Sequence, residues 1–129
     1  MTQREIEALA ARYAAAWSSK NPAAVAALFA ADGTVVVNRG EPWVGTARLT
    51  ELAQGFYDDV PDLTVMCDMV RLAGDRAIFV WTFTGHDATT GNPLNIQGWE
   101  EWTLGNDGLI ATSLGWFDAE DYARQAAGG

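Results

Sequence analysis

Cysteine and histidine are nearly absent: Cys67 and His86 are the single examples of each in 129 residues. A lone cysteine excludes an internal disulfide, and one histidine beside it leaves no cluster with metal-ligand spacing. No metal or other cofactor is therefore expected, and the cytoplasm is the simplest compartment. Positive charge is scarce as well. Eight Lys and Arg face 17 Asp and Glu, for a net charge of −9, so nucleic-acid backbones and anionic membranes would repel the chain and neither is expected as a partner. No stretch of about 18 uncharged apolar residues occurs. Arg4, Glu5 and Glu7 lie where a signal peptide needs an apolar segment, which points away from export. A Gly-rich phosphate loop, a Gly-x-Ser-x-Gly elbow and a His-Glu-x-x-His motif are also missing, so phosphoryl transfer, serine hydrolysis and zinc chemistry lack their parts.

What is present is an ordinary globular composition, 49% hydrophobic and 19% charged, with a surplus of aromatic residues: six Trp, three Tyr and five Phe. A chain of this length is expected to form one domain, residues 1–129, around one core. Its aromatics imply a large aromatic core, an apolar pocket or a partner surface. Trp43, Trp81, Trp99 and Trp116 read as core or subunit contacts rather than as a platform for nucleotides.

The periodicity divides the chain into helices first and strands after. Ile6, Leu9, Ala10, Tyr13 and Trp17 recur at three- and four-residue steps and predict an amphipathic helix over Arg4–Ser18. Asn21-Pro22 reads as an N-cap followed by proline at the first helical position, with Val25, Leu28 and Phe29 on the apolar face and Asp32-Gly33 as the stop. A short strand over Thr34–Asn38 and a turn lead through Trp43-Val44 to a helix capped by Thr46, with Leu49, Leu52, Ala53 and Phe56 on one face. The acids of Asp58–Asp62 close it as solvated loop residues. Leu63–Leu72, Arg76–His86, Leu94–Leu104 and Leu109–Phe117 then read as hairpin-linked antiparallel strands, and Asp118 caps a final helix ending near Gln125. The expected class is α+β: a curved, mainly antiparallel sheet wrapped around the N-terminal helices and enclosing an apolar cavity.

Strand alternation singles out one acid. Leu94, Ile96, Gly98, Trp102 and Leu104 form an apolar face on which Glu100 is the only charged residue. Facing inward, Glu100 would be pushed toward its protonated form, able to donate a proton near neutral pH. The alternatives are a bulge at Gly98 that turns it to solvent, or a structural acid satisfied by a backbone group or Arg. Tyr13 and Trp17 are neighbours on one helix face; Tyr13 is either a donor into the cavity or a core tyrosine bonded to the backbone. His86, at a strand end beside Asp87, sits either at the cavity mouth or in a solvated turn. Cys67, mid-strand and without a basic neighbour, reads as a small core residue.

The stretches Ala8–Tyr13, Ala24–Gly33, Val44-Gly45-Thr46, Trp81–His86, Gly108-Leu109-Ile110 and Trp116-Phe117-Asp118 resemble SnoaL-like proteins of the nuclear-transport-factor-2-like superfamily, and the match extends over nearly the whole chain. The resemblance implies a cone-shaped α+β fold with a cavity, and usually a homodimer. Activities within the superfamily range from polyketide cyclases and ketosteroid isomerases to non-catalytic binding modules. By the same resemblance Tyr13 matches the isomerase's oxyanion donor, and Glu100 matches the protonated acid beside it. The relatives' proton carriers fall at Val37, with Asn38 beside it, and at Gly115, neither of which can move a proton. The expected function is cofactor-independent proton transfer on an apolar, carbonyl-containing molecule, with Glu100, Tyr13 and His86 as catalytic candidates. Trp17, Phe56, Trp102, Trp116 and Asn38 are the candidates for substrate contact. The competing expectation is a ligand-binding or dimerisation module of the same fold.

Overall fold

The computed structural model describes residues 1–129. It begins with α1 (Gln3–Ser18), closed at its N-terminus by a capping box in which Thr2 and Glu5 satisfy each other's backbone N–H groups. Ile6, Leu9, Ala10, Tyr13 and Ala14 form its buried stripe. α2 follows (Pro22–Ala26), with the Asn21 side chain accepting from Ala23 N and proline at the first turn.

The second helix is shorter than its apolar spacing suggests. It stops at Ala26, and β1 runs from Phe29 to Val37. Phe29 is claimed by the sheet because it pairs with Ile110 of the last strand, whose N–H is bonded to Leu28 O. Pairing across the fold thus overrides a local helical pattern, and the irregular stretch between Phe29 and Thr34 takes up the mismatch in register. After β2 (Trp43–Val44) comes α3 (Thr46–Asp59). Its N-cap is Gly45 at φ +89°, and Thr46 is the first helical residue and makes no capping bond. A positive φ at the cap suits glycine, which displaces the cap one residue from the expected Thr46.

The remaining elements are β3 (Thr64–Ala73), β4 (Arg76–His86), β5 (Pro93–Leu104), β6 (Ile110–Phe117) and α4 (Ala119–Ala126). Asp118 caps α4 as expected, accepting from Asp121 N. The six strands form an open mixed sheet in the order β2-β1-β6-β5-β4-β3, every pair antiparallel except β1 with β6. This is the expected α+β class. No helix is long and apolar enough to cross a membrane.

The inner face of the sheet packs on α1, α2 and α3 around a core that includes Phe79, Ile96, Trp102 and Ile110. Burying each such side chain contributes about 1.5–3 kcal/mol. The outer face is also apolar: Met69, Val80, Trp99 and Trp116 stand in register across β3, β4, β5 and β6. Trp99 and Trp116 are 45% and 40% exposed there, with ring centroids 6.2 Å apart. Cys67 is exposed rather than in the core. It lies on the edge strand β3, where pairing with β4 shifts between Cys67 and Met69, and no further strand covers that edge.

Candidate active site

β5 holds its alternation without interruption along β4, so Gly98 marks no bulge in that pairing and Glu100 keeps to the inner face. The glycine has another reason. A Cβ there would overlap the Trp81 ring and the Trp116 carbonyl, so only glycine admits this close approach of the two strands' contents. Between the inner face and the helices lies a partly open pocket lined by 18 residues, 15 of them hydrophobic. Glu100 is the one ionisable group among the other three, which are completed by Ser113 and Gly115.

Three donors converge on a single oxygen of that acid. Tyr13 Oη donates to Glu100 Oε1 at 2.7 Å, Ser113 Oγ at 2.8 Å and Trp102 Nε1 at 3.0 Å. No Lys, Arg or His pairs with Glu100. Oε2 takes part in none of these bonds and is not sealed away from the pocket. Oε1 is thus saturated by donors, and a proton on this carboxyl resides on Oε2, facing the pocket. Burial pushes the Glu100 carboxyl above its ordinary value, opposed by the hydrogen bonds from Tyr13, Trp102 and Ser113. Glu100 keeps some exposed surface and lines the partly open pocket.

The supporting side chains are held rigidly. Tyr13 is 3% exposed, and Trp102 and Ser113 are fully buried. The Tyr13 ring meets those of Trp102 at 4.9 Å and Phe79 at 5.2 Å, edge to face, while Phe79 and Trp102 stack at 4.9 Å. Such pairs each add about 0.5–1.5 kcal/mol beyond burial. Burial first, and the neighbouring Glu100 charge second, raise the Tyr13 hydroxyl well above its ordinary value. It therefore stays protonated and donates its only proton to Glu100. Behind Trp17, Tyr57 Oη donates to Trp17 O at 2.7 Å and is pushed up to about 12 by burial, tying α3 to the end of α1.

The other candidates divide. Trp17 and Phe56 line the pocket, their rings edge to face at 5.7 Å. Trp102 does not reach it and instead holds Glu100. Trp116 borders the pocket, but its indole is on the outer face against Trp99, so its contribution to the wall is backbone. Asn38 turns away: it sits at φ +51° and its Oδ1 accepts from Phe117 N, locking the β1 end to β6. His86 also lies outside the pocket. It is exposed at the end of β4, where its Nδ1 is 2.6 Å from Asp62 Oδ2 and its backbone N–H donates to Asp62 Oδ1. Val37 and Gly115 both line the pocket, uncharged. Ser113 was not singled out from sequence. Its signal is a polar residue on the inward phase of β6, in register to reach the acid one strand away.

Residues 10–113 match the SnoaL-like domain family, and the chain belongs to it. Solved structures agree on the fold. A protein with a ketosteroid isomerase-like fold from Catenulispora acidiphila, in complex with trimethylamine, aligns over 98% of this chain and 95% of its own, with TM-score 0.86 and 21% identity. A protein from Jannaschia sp. CCS1 assigned as a SnoaL-like polyketide cyclase aligns over 98% and 94%, with TM-score 0.86 and 11% identity. SalBIII, an epoxide hydrolase/cyclase-like enzyme of pyran ring formation in the polyether salinomycin, aligns over 92% and 94%, with TM-score 0.80 and 14% identity. No curated protein sequence matches the chain.

Proposed function

We propose that this SnoaL-like protein is a cytoplasmic, cofactor-independent enzyme that moves a proton on an apolar, carbonyl-containing molecule held in the pocket, in the manner of an isomerase or cyclase. The observation that carries the reading is Glu100: a buried acid with every donor on Oε1 and its other oxygen toward an apolar pocket. A carboxyl with a raised pKa is suited to take and return a proton near neutral pH. Glu100 is the catalytic residue in this reading. Tyr13, Ser113 and Trp102 are positioning residues, since each spends its donor on Glu100. Trp17 and Phe56 shape the binding wall. His86 has no part in the chemistry, because its ring faces solvent and Asp62. The trimethylamine complex of a structural neighbour supports a small molecule as the occupant. We also propose a homodimer, with the apolar outer face of the sheet against a second copy.

The test uses 2-tetralone, an apolar ketone with exchangeable protons beside its carbonyl, followed by NMR in D2O. Wild-type protein should accelerate deuterium uptake, and Glu100→Gln should lose about 100-fold or more of that acceleration. Equal rates with the two proteins would end the assignment.

The second reading is a binding module without catalysis, favoured by the uncharged Val37 and Gly115 in the pocket wall. It predicts that compounds co-purifying with the protein remain chemically unchanged over prolonged incubation.

A further inference from the structure

The pocket wall contains an acid and no base: none of its 18 lining residues is Lys, Arg or His. No cation reaches Glu100 from behind the wall either. Its partners are the neutral donors of Tyr13, Trp102 and Ser113, all gathered on Oε1. The two hydroxyls of the wall, Tyr13 and Ser113, are spent in this way. Oε2 makes none of these bonds and keeps accessible surface. A carboxylate among apolar residues is costly until a counter-charge meets it. The protein supplies none, which leaves that part to a proton or to a ligand.

The rest of the wall suits an organic cation. Trp17, Phe29, Phe56, Trp81, Phe83 and Phe117 line the pocket together with Glu100. Aromatic rings attract a cation more than a neutral group of the same shape, and the attraction grows where water is excluded. Outside, a groove along α3 shares Leu52 and Phe56 with the pocket. Glu51, Asp58 and Asp59 line that groove, again with no cationic residue among its walls. Glu51 is paired with Arg48 at 3.3 Å, whereas Asp58 and Asp59 have no cationic partner. The net charge of −9 extends the same bias over the whole chain. Such a field concentrates cations beside the pocket and turns anions away.

We infer that the pocket binds an apolar amine as its ammonium ion, with the N–H on Glu100 Oε2 and the hydrocarbon against the aromatic wall. The inference goes beyond the proton-transfer reading and does not need it, since the amine leaves the site unchanged. The pair forms from either protonation state of the acid. A Glu100 carboxylate receives the ammonium ion as it arrives. A protonated Glu100 passes its Oε2 proton to the lone pair of the free amine, the O–H bond breaking as the N–H bond forms, and the same ion pair results. Its hydrogen bond is charge-assisted and lies where little water competes, and the three donors on Oε1 steady the carboxylate that accepts it.

Two probes with one skeleton separate charge from shape: 2-aminotetralin, an aliphatic amine ionised at neutral pH as lysine is, and the neutral 2-tetralol. By calorimetry at neutral pH, the wild-type protein should bind the amine about tenfold or more tightly than the alcohol. Glu100→Gln keeps the shape and removes the charge, so it should lose that preference while binding the alcohol as the wild type does. Bound amine should also lower the Glu100 titration midpoint, read from the ¹³C shift of its carboxyl, and bound alcohol should not. Equal affinities of the wild type for the two probes, a preference that survives in Glu100→Gln, an unmoved midpoint, or no amine binding at millimolar concentration would overturn the inference. Should Glu100→Gln not fold, the wild-type affinities and midpoint decide. Asp58→Asn combined with Asp59→Asn should slow amine association at low salt and leave its dissociation unchanged; an unchanged association rate would overturn the part assigned to the groove. The two readings fail separately: undiminished exchange of 2-tetralone in Glu100→Gln removes the proton carrier and leaves amine binding standing, and a missing preference for the amine does the reverse.

Discussion

Glu100 on β5 stands directly opposite Gly115 on β6, and a Cβ at that glycine would lie 3.6 Å from Glu100 Cγ, an ordinary contact. A side chain can therefore start from this position beside Glu100 without a clash at its Cβ. Gly115→Asp would put two acids in one low-dielectric site, where both cannot ionise freely. Its Glu100 titration midpoint, followed by ¹³C NMR of the side-chain carboxyl, should rise above that of the wild type. Stability at neutral pH should fall by about 1–3 kcal/mol in chemical denaturation. An unchanged midpoint would mean that the new side chain swings clear of Glu100.

Removing a donor should act in the same direction on Glu100. The Tyr13, Trp102 and Ser113 bonds each hold the Glu100 pKa down against burial. Tyr13→Phe and Ser113→Ala should therefore raise its midpoint further, at a cost of about 1–3 kcal/mol in stability for the bond lost at a buried acceptor. A midpoint that falls in either variant would contradict the assignment of all three donors to Oε1.

Glu100 also makes stability depend on pH. Its folded pKa lies above the unfolded one, so the folded state binds more protons in the interval between them. Its contribution is fully present below the ordinary carboxylate value and is lost as pH rises through the folded value. Glu100→Gln abolishes this loss. The melting temperature of the variant minus that of the wild type should become more positive as pH rises through that window, then level off. A flat difference would contradict the raised pKa.

Much of this site is legible in the sequence because a β-strand has a period of two. The inward phase of β5 is apolar from Leu94 to Leu104 except at Glu100, and burial on one face leaves that acid no other place. Tyr13 is legible for the parallel reason that α1 has a clean helical stripe. The extent of α2 is not legible, because Phe29 belongs to a strand only through its pairing with Ile110, more than 80 residues away. Cys67 is misplaced because nothing local reveals that β3 is the sheet edge. The roles of Trp102 and Trp81 differ for a similar reason. Both are inward aromatics by alternation, and only the assembled fold gives one indole N–H an acceptor and leaves the other without one.

The outer face supplies a prediction independent of the pocket. Trp99 and Trp116 face each other across β5 and β6 within a row that also contains Met69 and Val80. A dimer through this face should dissociate when Trp99 is replaced by Glu, seen as a halved mass in sedimentation, with the Glu100 midpoint unaltered. A wild-type monomer at micromolar concentration would remove the dimer from the account.

At the centre stands the claim that Glu100 is a buried acid whose proton is held on Oε2, toward the pocket. The ¹³C carboxyl shift of Glu100 in the wild-type protein, followed across the acidic and neutral range, measures this most directly. The midpoint should lie above the ordinary value of 4.5 and move when 2-tetralone occupies the pocket. A midpoint at or below 4.5, indifferent to the ketone, would contradict it.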